Sequence, residues 1–490
     1  MSRWKVGDIR NGYTVLNPNN RKTILLLSDD FRMFSGVATV SREIIYQTCH
    51  HYNWIQVGAG LKHPEHGKII NVDTALAKET KVEGAKCTVF PIDGYGNAEI
   101  IRYIMKKHDI SAIMHFTDPR QWEWLYRIER EIRKQVPLLF YTIWDDLPYP
   151  QWNKQFYNSC DGLFCINKQT KNIINTVLTD DELKNKIVEY VPHGINSKIF
   201  KPIQTDTKEL IDFKNSITKN KDKEFIILYN SRNIRRKMTS DIMIAYKYFV
   251  DSLPKNVRDK VLLVLKTQPV DMGGTDLFSI HRKLMDECDI TILPDILSPA
   301  HMNYLYNIAD VTVGASSAEG FGLSIGESIM AGTPVIATVI GGLQDQMRFE
   351  DSKGNWIDFD TNHPTNSDGR YKKHGPWAFP LWPQLNLVGS PPTPYIYDSR
   401  PTVEGIVQRF KEVYNLSWLD RNKIGKLGRE WFISDESNLS ACKMGESMIK
   451  YIDKSMNTFT KRESFSFEKI EKPDSIKHKG LYNKTKQKWL

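Results

Sequence analysis

Two glutamates eight positions apart, Glu319 and Glu327, flank a glycine-rich turn in the second half of the chain. The pattern predicts that a strand ends near Gly314 and that a helix opens near Leu323. The first N–H groups of a helix lack intrahelical partners and favour a phosphate, whereas ionised carboxylates accept hydrogen bonds from sugar hydroxyls. The segment therefore predicts a site for a phosphorylated sugar. The alternative is a helix start capped by acids, in which the glycines serve only the turn.

A cluster of cations follows another predicted strand, in the sequence Asn230-Ser-Arg-Asn-Ile-Arg-Arg-Lys237. Fixed cations in such a cluster could stabilise a diphosphate as its negative charge develops. A basic cluster that stands alone is more often a solvated face. Its position after a strand, like that of the glycine-rich turn, favours a shared ligand site.

Composition excludes several classes of protein. The 490 residues are 40% hydrophobic and 26% charged, which is typical of a folded globular chain. No apolar run approaches the roughly 20 residues that span a bilayer, and the first residues lack the apolar core of a secretory signal. The six cysteines are scattered, and the spacing of Cys160 and Cys165 does not suit a zinc site. We therefore expect a cytoplasmic protein with reduced thiols and no transmembrane segment.

The net charge of +9 is concentrated at one end of the chain. Residues 461–490 hold nine Lys and Arg against four Asp and Glu, and residues 477–490 hold five lysines and no acid. A basic tail favours a polyanionic partner, either nucleic acid or an anionic membrane surface, so peripheral membrane contact stays open. The alternative is a solvated, frayed terminus.

Apolar runs alternate with helical patterns through most of the chain, which predicts an α/β fold with parallel sheets. Two such series, joined near residue 205, would form two Rossmann-like domains that face each other across a cleft. Ligands bind such sheets beyond the carboxyl ends of the strands, where the acidic and basic clusters lie. Residues 347–395 break the alternation and are rich in Gly, Pro, Asn and Trp, so we expect an insertion there. The expected domains are residues 1–204, residues 205–435 with that insertion, and residues 436–490 with a C-terminal helix and the basic tail.

The string from Ser316 to Gly342 resembles the E-x7-E motif of retaining GT-B glycosyltransferases of family 4, including its Phe-Gly-Leu and Ala-Gly-Thr-Pro. Arg232 and Lys237 resemble the pair that holds the donor diphosphate in that family. Ser35-Gly36-Val37 resembles its N-terminal glycine loop, and the overall pattern is similar to glycosyltransferases encoded by large tailed bacteriophages. The resemblance covers roughly residues 23–342 and 402–454.

The resemblance implies a GT-B fold and transfer of a sugar, with retention at the anomeric carbon, from a nucleotide diphosphate sugar such as a UDP-sugar. It implies no metal and no cofactor beyond that substrate. The donor-binding residues that it implies are Gly36, Arg232, Lys237, Glu319, Gly320, Phe321, Gly322, Leu323, Ser324 and Glu327. Its catalytic residues would be His115, Arg232, Lys237 and Glu319.

Two features depart from that family. Its His-x-His arrangement is matched only by His115, because Thr117 stands at the second position, so either His115 or the region around Thr117 could serve the reaction centre. In the segment that resembles the family's inter-domain sequence, His193 stands where Asn is usual. The alternative for His115 is a hydrogen-bonded structural histidine.

The acceptor is predicted from aromatic and acidic residues after an N-terminal strand, namely Trp144, Asp145, Asp146 and Trp152. Such side chains could stack on a ring and bind its polar groups, although they could also form a packed lip between domains. The resemblance to phage glycosyltransferases implies, as the favoured acceptor, a hydroxymethylated pyrimidine such as hydroxymethylcytosine in phage DNA, which would place the protein in the host cytoplasm. The alternatives are a glycosyltransferase acting on a lipid-linked or surface glycan, and a catalytically silent nucleotide-sugar binding module.

Overall fold

The computed structural model describes residues 3–359, 371–390 and 393–463. The described residues form two sheets of mainly parallel strands, and helices connect the strands and pack against each sheet. The first sheet is built from the N-terminal part of the chain and the second from residues 225–381.

The N-terminal sheet has eight strands in the order β10-β9-β8-β7-β3-β4-β6-β5, and all are parallel except the short β5. The strands of this part are β1 (Ile9–Arg10), β2 (Tyr13–Thr14), β3 (Lys22–Asp29), β4 (Tyr52–Gly60), β5 (Ile70–Asn71), β6 (Cys87–Asp93), β7 (Ile110–His115), β8 (Leu138–Thr142), β9 (Gly162–Cys165) and β10 (Ile187–Tyr190). Its helices are α1 (Gly36–Thr48), α2 (Asp73–Thr80), α3 (Ala98–Lys107), α4 (Glu123–Arg127), α5 (Glu129–Ile132), α6 (Lys154–Asn158), α7 (Lys168–Val177) and α8 (Asp180–Leu183).

The central strand β3 shows why this part folds as it does. Its apolar run from Ile24 to Leu27 is fully buried, because helices cover both faces of a parallel sheet. The chain then turns at the carboxyl end of the strand, and Ser35 caps α1 by accepting a hydrogen bond of 2.9 Å from the Ala38 N–H. The β3–α1 turn is therefore fixed at the edge of the sheet where ligands bind.

The C-terminal sheet has six parallel strands in the order β13-β12-β11-β14-β15-β16. The strands of this part are β11 (Phe225–Asn230), β12 (Val261–Lys266), β13 (Ile290–Ile292), β14 (Val311–Gly314), β15 (Val335–Thr338), β16 (Ala378–Leu381), β17 (Gln384–Ser390) and β18 (Thr393–Arg400). Its helices are α9 (Lys208–Thr218), α10 (Thr239–Asp251), α11 (Leu277–Leu284), α12 (Pro299–Ile308), α13 (Leu323–Ala331), α14 (Gly341–Gln346), α15 (Val403–Tyr414), α16 (Trp418–Phe432) and α17 (Ala441–Thr458).

The segment 347–395, which the sequence places outside the α/β alternation, contains regular structure. β16 adds a parallel strand to the edge of the second sheet beside β15, and Trp377 just before it is buried against Trp431. β17 and β18 form an antiparallel hairpin. The segment predicted as an insertion thus also supplies an edge strand of the second sheet, because tertiary packing of its aromatic residues creates a strand that periodicity does not show.

The last helix, α17, returns to the first sheet. The Tyr52 hydroxyl on β4 donates to the carboxylate of Asp453 on α17 at 2.9 Å, and the backbone of Ile195 pairs with that of Ser440 before the helix. The C-terminal part of the described residues thus packs on the N-terminal sheet. The lysines between residues 477 and 490 that suggest a polyanionic partner lie outside the described residues.

In the described ranges, no helix is both long and apolar enough to span a membrane. The same ranges bring no three His, Cys, Asp or Glu side chains together as metal ligands. Cys160 and Cys165 are buried free thiols.

Candidate functional site

A cleft of about 760 Å³ lies between the two sheets, beyond the carboxyl ends of strands from both. Loops after β3 and β8 line one wall, and loops after β11, β12, β13 and β14 line the other. The domains also touch beside the cleft, where the Asn167 side-chain amide donates to the Gly320 carbonyl at 2.6 Å. The glycine-rich turn is therefore held against the N-terminal domain.

Glycines allow this turn to pack tightly. Gly322, which precedes α13, has a φ of 86°, and a Cβ there would lie 2.4 Å from the side chain of Leu343. A Cβ on Gly341 would lie 2.1 Å from the Glu319 carbonyl oxygen. Across the cleft, a Cβ on Gly36 would come within 3.5 Å of Leu323, so the β3–α1 turn faces the start of α13. The N-terminus of α13 therefore opens onto the cleft.

Glu319 and Lys237 form an ion pair in the cleft, and their side chains are only 15% and 10% exposed. Arg236 lies 3.9 Å from the same carboxylate oxygen, and Ser316 donates to it at 3.2 Å. Burial would raise the pKa of Glu319, but the charges of Lys237 and Arg236 outweigh burial and hold the pKa below its usual value. Glu319 is therefore an ionised acceptor beside two cations.

Glu327 has a different environment. The Tyr306 hydroxyl donates to its carboxylate at 2.7 Å, and the Asn230 amide donates to the same hydroxyl at 2.8 Å. Burial raises the pKa of Glu327 to about 7, and the Tyr306 hydrogen bond only partly opposes this. The two glutamates of the turn therefore differ in charge: one is firmly ionised, and the other titrates near neutrality.

The basic cluster after β11 contributes several cations to the cleft. Arg232 is 69% exposed at the side chain and is paired with Asp271 at 2.7 Å, so it lies at the rim. Arg236 donates to the Ala318 carbonyl at 2.5 Å and lies deeper, near Glu319. The sequence contains Arg236 within the cationic run, but nothing in the spacing distinguished it from its neighbours.

His115 does not line the cleft, contrary to the expectation that it serves the reaction centre. It is fully buried, its Nδ1 lies 2.7 Å from the Tyr126 hydroxyl, and its Nε2 lies 3.0 Å from the Thr117 hydroxyl. Burial lowers its pKa to about 3. Thr117 is likewise buried and binds the histidine. Strand β7 ends at His115, whose ring points into the aromatic core of the domain, whereas the next residue, Phe116, lines the cleft.

The histidine that does line the cleft is His193, which follows β10. Its ring lies 5.1 Å from that of Phe321 in the glycine-rich turn. In the sequence, His193 is distinguished by standing where the family usually has Asn. This departure is the one sequence feature that could have indicated a residue of the cleft here.

Of the four residues predicted to bind the acceptor, Asp145 lines the cleft and the other three lie behind it. The Trp144 indole donates to the Asp146 carbonyl at 2.7 Å, and Trp152 packs edge-on against Tyr395 of the β17–β18 hairpin at 4.9 Å. Burial raises the pKa of both Asp145 and Asp146. The two tryptophans therefore form a packed lip, while Asp145 reaches the ligand space.

All the residues that the sequence predicts to bind the donor line this cleft. Its lining includes Gly36, Arg232, Lys237, Glu319, Gly320, Phe321, Gly322, Leu323, Ser324 and Glu327.

Residues 211–364 match a family model described as glycosyl transferases group 1. An uncharacterized glycosyltransferase of Methanocaldococcus jannaschii is 27% identical over 216 residues, which are 43% of this chain and 49% of that relative. The match thus spans about half the length of the curated relative.

Solved structures resemble nearly the whole chain. Anabaena HepE in complex with UDP and glucose superposes with a TM-score of 0.59 at 12% identity, covering 89% of this chain and all of HepE. Sucrose-phosphate synthase from Thermosynechococcus elongatus superposes with a TM-score of 0.60 at 16% identity, covering 89% of this chain and 99% of its own. These likenesses confirm the predicted fold. The chain has the GT-B fold, and its residues 211–364 match the model of the group 1 glycosyl transferases.

Proposed function

We propose that this protein is a glycosyltransferase that moves a sugar from a UDP-sugar to an acceptor hydroxyl with retention at the anomeric carbon. The observation that carries the proposal is the convergence of Glu319, Glu327 and Lys237 on one cleft at the start of α13. The match of residues 211–364 and the likeness to HepE, solved with UDP and glucose, support it.

In this proposal, each group of the cleft has one task. The start of α13 and the cations Arg232, Arg236 and Lys237 hold the donor diphosphate. Glu327 accepts hydrogen bonds from the ribose, and Glu319 accepts them from the sugar. As the bond to the sugar breaks, charge grows on the leaving UDP, and the fixed cations stabilise it. The acceptor hydroxyl attacks from the same face and passes its proton to the leaving phosphate, which accounts for retention.

For the acceptor, we propose a hydroxymethylated pyrimidine in DNA, bound beside Asp145. The net charge of +9 and the basic rim of the cleft support a polyanionic acceptor. The cytoplasm is the proposed location, and the six free cysteines support a reducing compartment.

Both levels of the proposal can be tested in one assay. The protein is incubated with UDP-glucose, UDP-galactose or UDP-N-acetylglucosamine and a duplex containing 5-hydroxymethylcytosine, with an unmodified duplex as control. UDP release is measured, and the DNA is digested to nucleosides for mass analysis. Transfer predicts a sugar-bearing nucleoside from the modified duplex alone. UDP release without that product would leave the glycosyltransferase in place and reject this acceptor, whereas no UDP release under any condition would favour a silent binding module.

A further inference from the structure

His193 is held by one neighbour. Its Nδ1 lies 2.6 Å from the hydroxyl of Tyr141, which is fully buried at the end of β8. Its ring also contacts the rings of Phe116 and Phe321. These contacts fix the imidazole between the N-terminal sheet and the glycine-rich turn.

The partner of Nδ1 determines which ring nitrogen carries the proton. Burial raises the pKa of Tyr141 well above its usual value, so its hydroxyl keeps its hydrogen. Among the described residues, His193 is the one hydrogen-bond partner of that hydroxyl. If Nδ1 carried the proton, the hydrogen of the buried hydroxyl would have no acceptor, so the arrangement in which the hydroxyl donates and Nδ1 accepts is favoured. Burial also lowers the pKa of His193 to about 3, which keeps the ring neutral near pH 7. The single ring proton therefore resides on Nε2.

Nε2 is left free to serve a ligand. No residue in the described ranges accepts a hydrogen bond from Nε2. This atom is also not among the side-chain nitrogen and oxygen atoms that are closed off from solvent and lack a partner. The ring lines the cleft beside Phe321, and the charge of Glu319 acts on it. A donor N–H thus stands in the part of the cleft where Glu319 supplies an acceptor.

We propose that His193 is a substrate-binding residue that donates a hydrogen bond from Nε2 to a hydroxyl of the donor sugar, with Tyr141 as the positioning residue that fixes its tautomer. The assignment rests on the proposed function, because it needs a sugar beside Glu319. Glu319 then accepts a hydrogen bond from the sugar and His193 donates one to it, while the diphosphate is bound elsewhere in the cleft.

The test compares three variants with the wild type. His193→Phe keeps a ring and removes the hydrogen-bond donor, whereas His193→Gln keeps an N–H close to the position of Nε2. Tyr141→Phe removes the hydroxyl that fixes which ring nitrogen of His193 carries the proton. UDP release from UDP-glucose, UDP-galactose and UDP-N-acetylglucosamine is measured, together with the affinity for UDP, which keeps the ribose and diphosphate but lacks the sugar that is transferred.

We expect UDP release to fall at least about tenfold in His193→Phe, as for the loss of a hydrogen bond to the reacting sugar. His193→Gln should recover most of it, and Tyr141→Phe should lose roughly threefold. UDP affinity should stay within about twofold in all three, since only the sugar contact changes.

Four results would overturn the inference. Full UDP release in His193→Phe excludes the contact, and an equal loss of UDP affinity in His193→Phe and His193→Gln shows that the histidine only packs. If His193→Phe does not fold, unchanged release in Tyr141→Phe excludes the fixed tautomer. Failure of the wild type to use any of the three donors rejects the proposed function itself, and the inference with it.

Discussion

Lys237 and Glu319 show what a single pair of charges contributes to the cleft. Lys237→Ala removes a cation near the proposed diphosphate and leaves Glu319 with the cation of Arg236, 3.9 Å from its carboxylate. We expect UDP-glucose turnover to fall by a factor of roughly a hundred or more, because charge stabilisation is a large part of such catalysis. The turnover is measured by UDP release.

The control is Arg235→Ala, which removes an exposed charge from the same short helical turn. It should change turnover less than about threefold, as expected for a solvated surface charge. Similar losses in both variants would show that the general basic character of the segment matters and that the pair with Glu319 does not.

We expect Glu327 to make the affinity of the cleft for its ligand depend on pH. Its pKa is raised to about 7 in the free protein, and a ribose hydroxyl donates more strongly to the ionised carboxylate than to the acid. Ligand binding should therefore favour deprotonation, so the affinity for UDP-glucose should rise as the pH increases through about 7 and then level off. Calorimetric titration between pH 5.5 and about 8.5 measures this effect.

Glu327→Gln supplies the matched control, since it keeps the shape of the side chain and cannot titrate. The rise with pH should disappear in this variant. A rise of the same size in both proteins would assign it to another group.

At the scale of elements, the β17–β18 hairpin joins the two halves of the molecule. The Tyr397 N–H donates to the Leu147 carbonyl at 2.6 Å, the Ser399 N–H donates to the Ser317 carbonyl at 3.1 Å, and Arg120 donates to Thr393 at 2.7 Å. The hairpin thus covers the back of the loop that carries Asp145.

Replacing residues 385–398 by a short glycine linker should loosen this loop. We expect backbone amides of residues 143–152 to exchange with solvent at least about tenfold faster. The reason is that the hairpin no longer covers the loop and that the Tyr397 N–H no longer donates to Leu147. Hydrogen exchange read by mass spectrometry provides the measurement. UDP affinity should stay within about twofold, which also shows that the protein is folded, and unchanged exchange would deny the hairpin this role.

The elements differ in how far the sequence reveals them. The strand β3 and the turn around Gly322 are local: a run of apolar residues and a glycine with positive φ carry their own signals. β16 is not local, because its edge position depends on β15 and on Trp377 packing against Trp431. The same reason explains His115, whose place in the core is set by Tyr126 and Phe140 and not by the order of residues around it.

At the scale of the whole molecule, Asn167 connects the two domains. Its side chain is fully buried, caps α7 by accepting from the Thr170 N–H at 2.6 Å, and donates to the Gly320 carbonyl across the cleft. Asn167→Ala removes both bonds. We expect a loss of about 2–3 kcal/mol in the free energy of unfolding, together with weaker UDP binding as the turn loosens.

A matched control exists in Asn97, which is exposed and caps α3 by accepting from the Glu99 N–H; among the described residues, this local bond is the one that its side chain makes. Asn97→Ala should cost about 1 kcal/mol and leave UDP binding unchanged. Urea unfolding and calorimetry compare the two, and equal effects would show that the contact across the cleft adds nothing to the cap.

The central claim is that the cleft binds a nucleotide sugar through the glycine-rich turn and the cations after β11. Calorimetric titration of UDP-glucose into the wild type, Arg232→Ala and Glu327→Ala tests it most directly. The account predicts saturable binding of one ligand per chain in the wild type and at least about a tenfold loss of affinity in each variant, with unfolding little changed for Arg232→Ala because its ion pair is exposed. Absence of binding to the wild type, or equal binding by all three proteins, would contradict it.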